Sequence, residues 1–168
     1  MAIRLKHRSA TGETRFWTVR EILQGKPIDR PSHPMLVHFP IALSITALVI
    51  DVASRIGHHS TAPQAATWLI GGALLGFAAA GVTGLAERAT MARNSKIRRL
   101  ATRHLLVQSG AAAIFLVDFA IRWSDRFDAR SSFWWIALDL VGVLVMSVGA
   151  DIGGRMVFKV GYRGLGGE

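Results

Sequence analysis

The run HPMLVHFPIALSITALVIDVASR, His33 to Arg55, constrains this chain more than any other stretch. At about 1.5 Å per residue it is long enough to cross a hydrocarbon core of about 30 Å. It opens on His33 and His38, carries Pro34 and Pro40 in its first turns, and ends on Asp51 and Arg55. Ionisable groups are expensive inside a membrane, so a span that keeps them is a functional-site candidate by default. Pro34 suits a first helical turn, with His33 as the cap. Pro40 lies deeper, removes the bond to the Leu36 carbonyl and predicts a kink there.

Three further apolar runs follow: Ala66 to Leu85, Leu100 or Ala101 to Trp123, and Phe133 to about Val157. The pattern predicts an all-α fold, an integral membrane four-helix bundle with a short N-terminal amphipathic helix. Residues 1–32 form a basic segment with that interfacial helix, 33–158 the four-span domain, and 159–168 a short mobile tail. The helix is expected within TRFWTVREILQG, where Phe16, Val19, Ile22 and Leu23 recur at helical spacing, Thr14 caps and Gly25 ends it. Ringed by Arg15, Arg20 and Lys26, it suits either an anionic membrane surface or the mouth of the bundle.

The chain is 51% hydrophobic yet carries a formal charge of +9. A strongly basic chain suggests nucleic acid, but here the basic residues sit between apolar runs, which argues against that partner. Seven Lys/Arg precede the first span, six lie around the second connection and three at the C-terminal end, against four on the other side. By the positive-inside rule both termini are expected in the cytoplasm, with the chain in a bacterial inner membrane. The first thirty residues hold no apolar h-region, so the first span is expected to act as the insertion signal. The absence of cysteine excludes disulfides, thiolate-held zinc, cysteine-held iron–sulfur clusters and thioether-attached haem. No nucleophile-and-base motif or phosphate loop is present, so an electron carrier or accessory subunit is favoured over an enzyme.

With this topology the first and third spans run parallel. His38 and His104 each lie about a turn inside, at similar depth. Two imidazoles facing each other from two helices are how a membrane b-type haem is held. His33, nearer the headgroups, is the alternative to His38, and Arg99 and Arg103 are placed to partner propionates. Histidines near span ends can also simply face the interface. A metal without haem is less favoured, because no carboxylate falls beside the histidines at ligand spacing. Asp51 with Arg55, and Asp118 with Arg122, read as i,i+4 ion pairs at span ends. Asp139 has no partner on its own helix and should face the bundle as a buried acidic residue, structural or proton-relaying. Gly72, Gly76, Ala80 and Gly84 form a small-xxx-small stripe suited to helix packing or to a flat cofactor. Trp134 and Trp135 read as an interfacial anchor.

The stretches HPMLVHFPIAL, RRLATRHLLVQSG and DIGGRMVFKVGYRG resemble the bacterial membrane family called domain of unknown function 2231, over roughly residues 20–164. The opening HP and the closing GG-x-x-V-x-x-x-G carry the likeness most specifically. The resemblance implies four spans and a layout similar to two-haem membrane cytochromes, with some members fused to Rieske domains. It matches His33 to the leading histidine and His104 to the histidine opening the third span. His38 falls where related sequences carry other polar residues, aspartate among them. The expectation is an inner-membrane protein holding one haem b near the cytoplasmic face, with His104 and either His38 or His33 as ligands. Its partners would be membrane lipids and a separate redox protein. The rival expectation is a non-redox accessory or structural subunit of a larger membrane complex; a transporter ranks third, because no repeat is visible.

Overall fold

The computed structural model describes residues 4–8, 14–57 and 60–161. His58, His59 and residues 162–168 of the expected tail lie outside them. An N-terminal hairpin pairs β1 (Arg4–Arg8) antiparallel with β2 (Thr14–Thr18), Leu5 opposite Trp17. Helix α1 (Val19–Leu23) follows at once. The expected N-terminal helix is therefore present but shorter, and its first half is strand. Thr-Arg-Phe-Trp-Thr is rich in the β-branched and aromatic residues that favour strands. The cap is Thr18, not Thr14: the Glu21 amide donates to the Thr18 hydroxyl oxygen at 3.3 Å, and the Thr18 amide donates to the Glu21 carboxylate at 2.9 Å.

Gly25 turns the chain next, at φ 81°, with the Arg30 carbonyl so close that a Cβ would lie 1.9 Å from its oxygen. Only glycine fits there. A 3-10 turn (Lys26–Ile28) leads to α2 (Ser32–Leu36), which Val37 separates from α3 (His38–Ile56). The break lies where Pro40 takes away the bond to Leu36, as its position predicted. Together α2 and α3 are the first span, and it starts before Pro34, so His33 is a helical residue rather than the cap. The other spans are α4 (Ala62–Arg88), α5 (Lys96–Arg122) and α6 (Phe133–Phe158). Each is long and apolar enough to cross a membrane.

The spans form a ring: α3 packs on α4 and α6, and α5 on α4 and α6. The first and third spans thus face each other diagonally. The bundle keeps small residues inside and large ones outside. Its core is Ala47, Ala66, Ile70 and Phe115, while Leu75, Leu106 and Leu144 point outward. Lipid tails are as apolar as leucine, so the helices associate by close backbone approach instead. The α4 stripe provides it: Gly72 meets Leu43, Gly76 meets Pro40, and Gly84 meets the ring of His33. Gly142 of α6 accepts the Phe115 ring of α5 in the same way.

The hairpin segment is tied to one end of the bundle. Gln24 donates to the Ala86 carbonyl at 2.9 Å, and the Ser32 hydroxyl donates to the Leu23 carbonyl. This anchors the turn that carries His33.

A Cβ on Gly76 would lie 2.8 Å from Pro40 Cδ, whereas one on Gly81 meets nothing within 4 Å. Gly76→Leu should therefore lower thermal stability in detergent by about 1–3 kcal/mol, and Gly81→Leu should not. Equal losses would show that the stripe does not set the α3–α4 contact. The Thr18 and Lys26 contacts hold the Glu21 carboxyl below its ordinary 4.5, at about 2. A depressed carboxyl contributes stability above its unfolded value, so the protection of the α1 amides, corrected for intrinsic exchange, should hold at neutral pH and weaken as pH falls from 4.5 towards 2.

Candidate functional site

At the end of the bundle that carries the hairpin, His33 and His104 meet across the centre, with ring centroids 6.1 Å apart and planes crossed at 89°. Each ring is held by the neighbouring helix of its own hairpin of spans. His33 Nδ1 lies 2.8 Å from the Ala80 carbonyl oxygen, and His104 Nδ1 lies 2.7 Å from that of Gly149. A carbonyl can only accept, so in each neutral ring Nδ1 carries the hydrogen and Nε2 keeps its lone pair. Four residues beyond each acceptor is a glycine on which the ring rests, Gly84 under His33 and Gly153 under His104. A side chain at either glycine would press on the imidazole. A ring nitrogen tied to a backbone carbonyl is the usual support for a histidine ligating through the other nitrogen.

The other residues singled out from the sequence lie elsewhere. His38 is exposed, with Nδ1 3.3 Å from the Met35 carbonyl of the preceding helix α2. Val37 and the turn before it bring His33, not His38, to His104. Arg103 is exposed, and exposed Arg99 donates to the Asn94 carbonyl at 2.9 Å, so neither guanidinium is bonded to the histidine pair. Among the described residues no group of three or more His, Cys, Asp and Glu is placed to hold a metal ion.

The opposite end holds a second constellation, about 27 Å along the axis at 1.5 Å per residue. Arg122 of α5 lies among Asp51 of α3, Asp118 of α5 and Asp139 of α6, and all four side chains are 0% exposed. Its guanidinium reaches Asp51 at 2.8 Å, Asp118 at 2.7 Å and Asp139 at 3.4 Å. The fork of donors on one arginine suits several carboxylates at once. The Trp135 ring covers it, with the guanidinium carbon 5.1 Å from the ring centroid. The Ser131 hydroxyl donates to Asp51, and the Ser131 amide donates to the Ser54 hydroxyl oxygen at 3.0 Å.

Three expectations change here. Asp51 does not pair with Arg55; it turns into the bundle towards Arg122, while Arg55 reaches the Ser131 carbonyl at 3.3 Å and stacks over Phe133. The Asp118–Arg122 pair forms, but deep in the core rather than at a solvated span end. Asp139 is buried and faces the bundle as expected, with its partner on another helix. Trp135 is buried over the arginine, leaving Trp134 as the exposed ring of the pair.

The two ends are linked by a regularity missed in the linear reading. Asp51 lies eighteen residues after His33, and Arg122 lies eighteen residues after His104. The acceptor-and-glycine pairs Ala80/Gly84 and Gly149/Gly153 match as well. Each hairpin of spans thus carries one histidine at one end, one member of an ion pair at the other, and a glycine shelf on its second helix. Equal spacing was the signal available in the sequence.

A four-span membrane bundle with a histidine pair at one end and a buried ion cluster at the other is the class of protein that fold and sites define. The chain belongs to the family described as predicted membrane protein (DUF2231), whose model matches residues 29–164. No curated protein and no solved structure matches it significantly.

Removing one partner of a buried ion pair strands the other. Arg122→Met, which leaves three buried carboxyls without their cation, should cost about 3–5 kcal/mol in detergent unfolding. Arg55→Met should cost less than about 1 kcal/mol. Similar losses for the two would mean that the cluster does not anchor the bundle.

Proposed function

We propose that this chain is a small electron carrier of the bacterial inner membrane, holding one b-type haem between His33 and His104 on the cytoplasmic side. The observation that carries the reading is the facing pair of imidazoles, each with Nδ1 engaged and Nε2 available. The ring centroids lie 6.1 Å apart, so a haem iron between the two Nε2 atoms would be held by both histidines. The donor set therefore fits the group.

Haem b supplies a one-electron couple when bound. The chain's own residues do the rest. Ala80 and Gly149 hold the tautomer and the ring angle, and Gly84 and Gly153 let the rings lie against the helix backbones. The apolar spans leave both rings only partly exposed at the end of the bundle. The Lys/Arg bias supports cytoplasmic termini, which puts the histidine end on that side. An electron would pass to or from a separate partner, a quinone or another redox protein.

The test is a reduced-minus-oxidised absorption spectrum of detergent-purified protein made in haem-replete cells, with a pyridine haemochrome assay. A sharp α-band and a Soret shift are expected, at about one haem per chain. His33→Ala and His104→Ala should each abolish them while leaving the protein in the membrane, and His38→Ala should leave them intact. A colourless protein would overturn the reading in favour of an accessory subunit of a larger membrane complex.

A further inference from the structure

The ion cluster at the other end does not balance. Three carboxyl groups, Asp51, Asp118 and Asp139, surround one guanidinium, and none of the four side chains touches solvent. Among the described residues no second cation compensates. On α3, Arg55 is turned to Ser131 and Phe133. Helix α4 has no ionisable residue between Ala62 and Ala86. In the connection before α6, Arg126 stacks on Trp123 and Phe127, while Asp125, Asp128 and Arg130 are exposed. On α6, Asp139 is the first ionisable residue, and the next, Asp151, pairs with Arg155. Ser131 supplies one neutral donor, to Asp51.

A second observation points to what is missing. The Oδ1 atoms of Asp118 and Asp139 are fully buried without a hydrogen-bond partner. The Asp118 and Asp139 carboxyls also share one nitrogen of Arg122, Nη2, at 2.7 and 3.4 Å, which sets them side by side. Ionised carboxylates only accept hydrogen bonds, so two of them in contact repel unless a hydrogen lies between them. The ligand that fits orphaned carboxyl oxygens, neighbouring carboxyls on one guanidinium and an excess of negative charge is a proton.

We propose that this cluster is a proton-binding site, with the proton on Asp139 and shared with its carboxyl neighbours at neutral pH. The proton comes from water at that face of the membrane and adds as an O–H. It leaves two negative charges opposite Arg122 in place of three. The site ties α3, α5 and α6 together through one guanidinium and one hydrogen, and it stands whether or not the histidine end holds haem.

Infrared spectroscopy of the full chain in lipid at neutral pH tests this. The expected result is a carboxylic-acid carbonyl band that moves on transfer to deuterated water and on carboxyl-13C labelling of aspartate, but not of glutamate. Glutamate labelling separates any contribution from buried Glu87. The other four aspartates, Asp29, Asp125, Asp128 and Asp151, are exposed to solvent, so a band from a buried aspartic acid comes from the cluster. Asp139→Asn, which keeps the shape and a donor, should remove the band. No acid band in the wild-type chain, a band insensitive to the aspartate label, or a band unchanged in Asp139→Asn would each overturn the proposal. Should the variant fail to fold, the labelling experiment on the wild-type chain still decides.

Discussion

Inside a bilayer no water reaches the core, so every polar atom there must find its partner within the protein. The rest of this structure depends on that constraint. The chain has few large buried apolar side chains, and many of its leucines and valines are exposed. The interior is held by backbone contact at glycine and alanine and by the two polar constellations. Arg122 joins three of the four spans at one end. At the other, the imidazoles bond to carbonyls of the adjoining helices, and Gln24 and Ser32 tie the N-terminal turn in place.

The two constellations share one construction. In each hairpin the first helix brings a histidine and, eighteen residues on, a charged residue, and the second helix offers a carbonyl and a glycine four residues apart. The first and third spans run parallel, so equivalent residues meet at equal depth across the diagonal of the ring. Identical residues meet at one end, giving a pair of imidazoles suited to sharing a ligand. At the other end the equivalents are Asp51 and Arg122, of opposite charge, and they close on each other. A single arrangement thus yields a symmetric site at one end and an ion pair at the other.

Much of this was legible in the chain. Run length and polarity gave four spans and their order, Pro40 marked the break in the first, and the stripe ending at Gly84 marked close packing on the second. The N-terminal strand pair was less legible, because Phe16, Val19, Ile22 and Leu23 suit a helical stripe as well as a strand followed by a helix. The choice between them rests on Arg4–Arg8, a partner strand that lies outside the stretch itself.

The sequence by itself determined which residues could carry chemistry and roughly how deep each would lie, because depth follows from position along a span. Only the tertiary structure decided which of them meet. Asp51 has Arg55 within one turn and still turns to Arg122, because its side chain faces the bundle. His33 takes the place beside His104 and leaves His38 at the surface, since the turn at Val37 and the ring order of the helices set those directions. Local spacing specifies neighbours on one helix, whereas partners across a bundle depend on the rotation of each helix about its own axis, and packing alone sets that rotation.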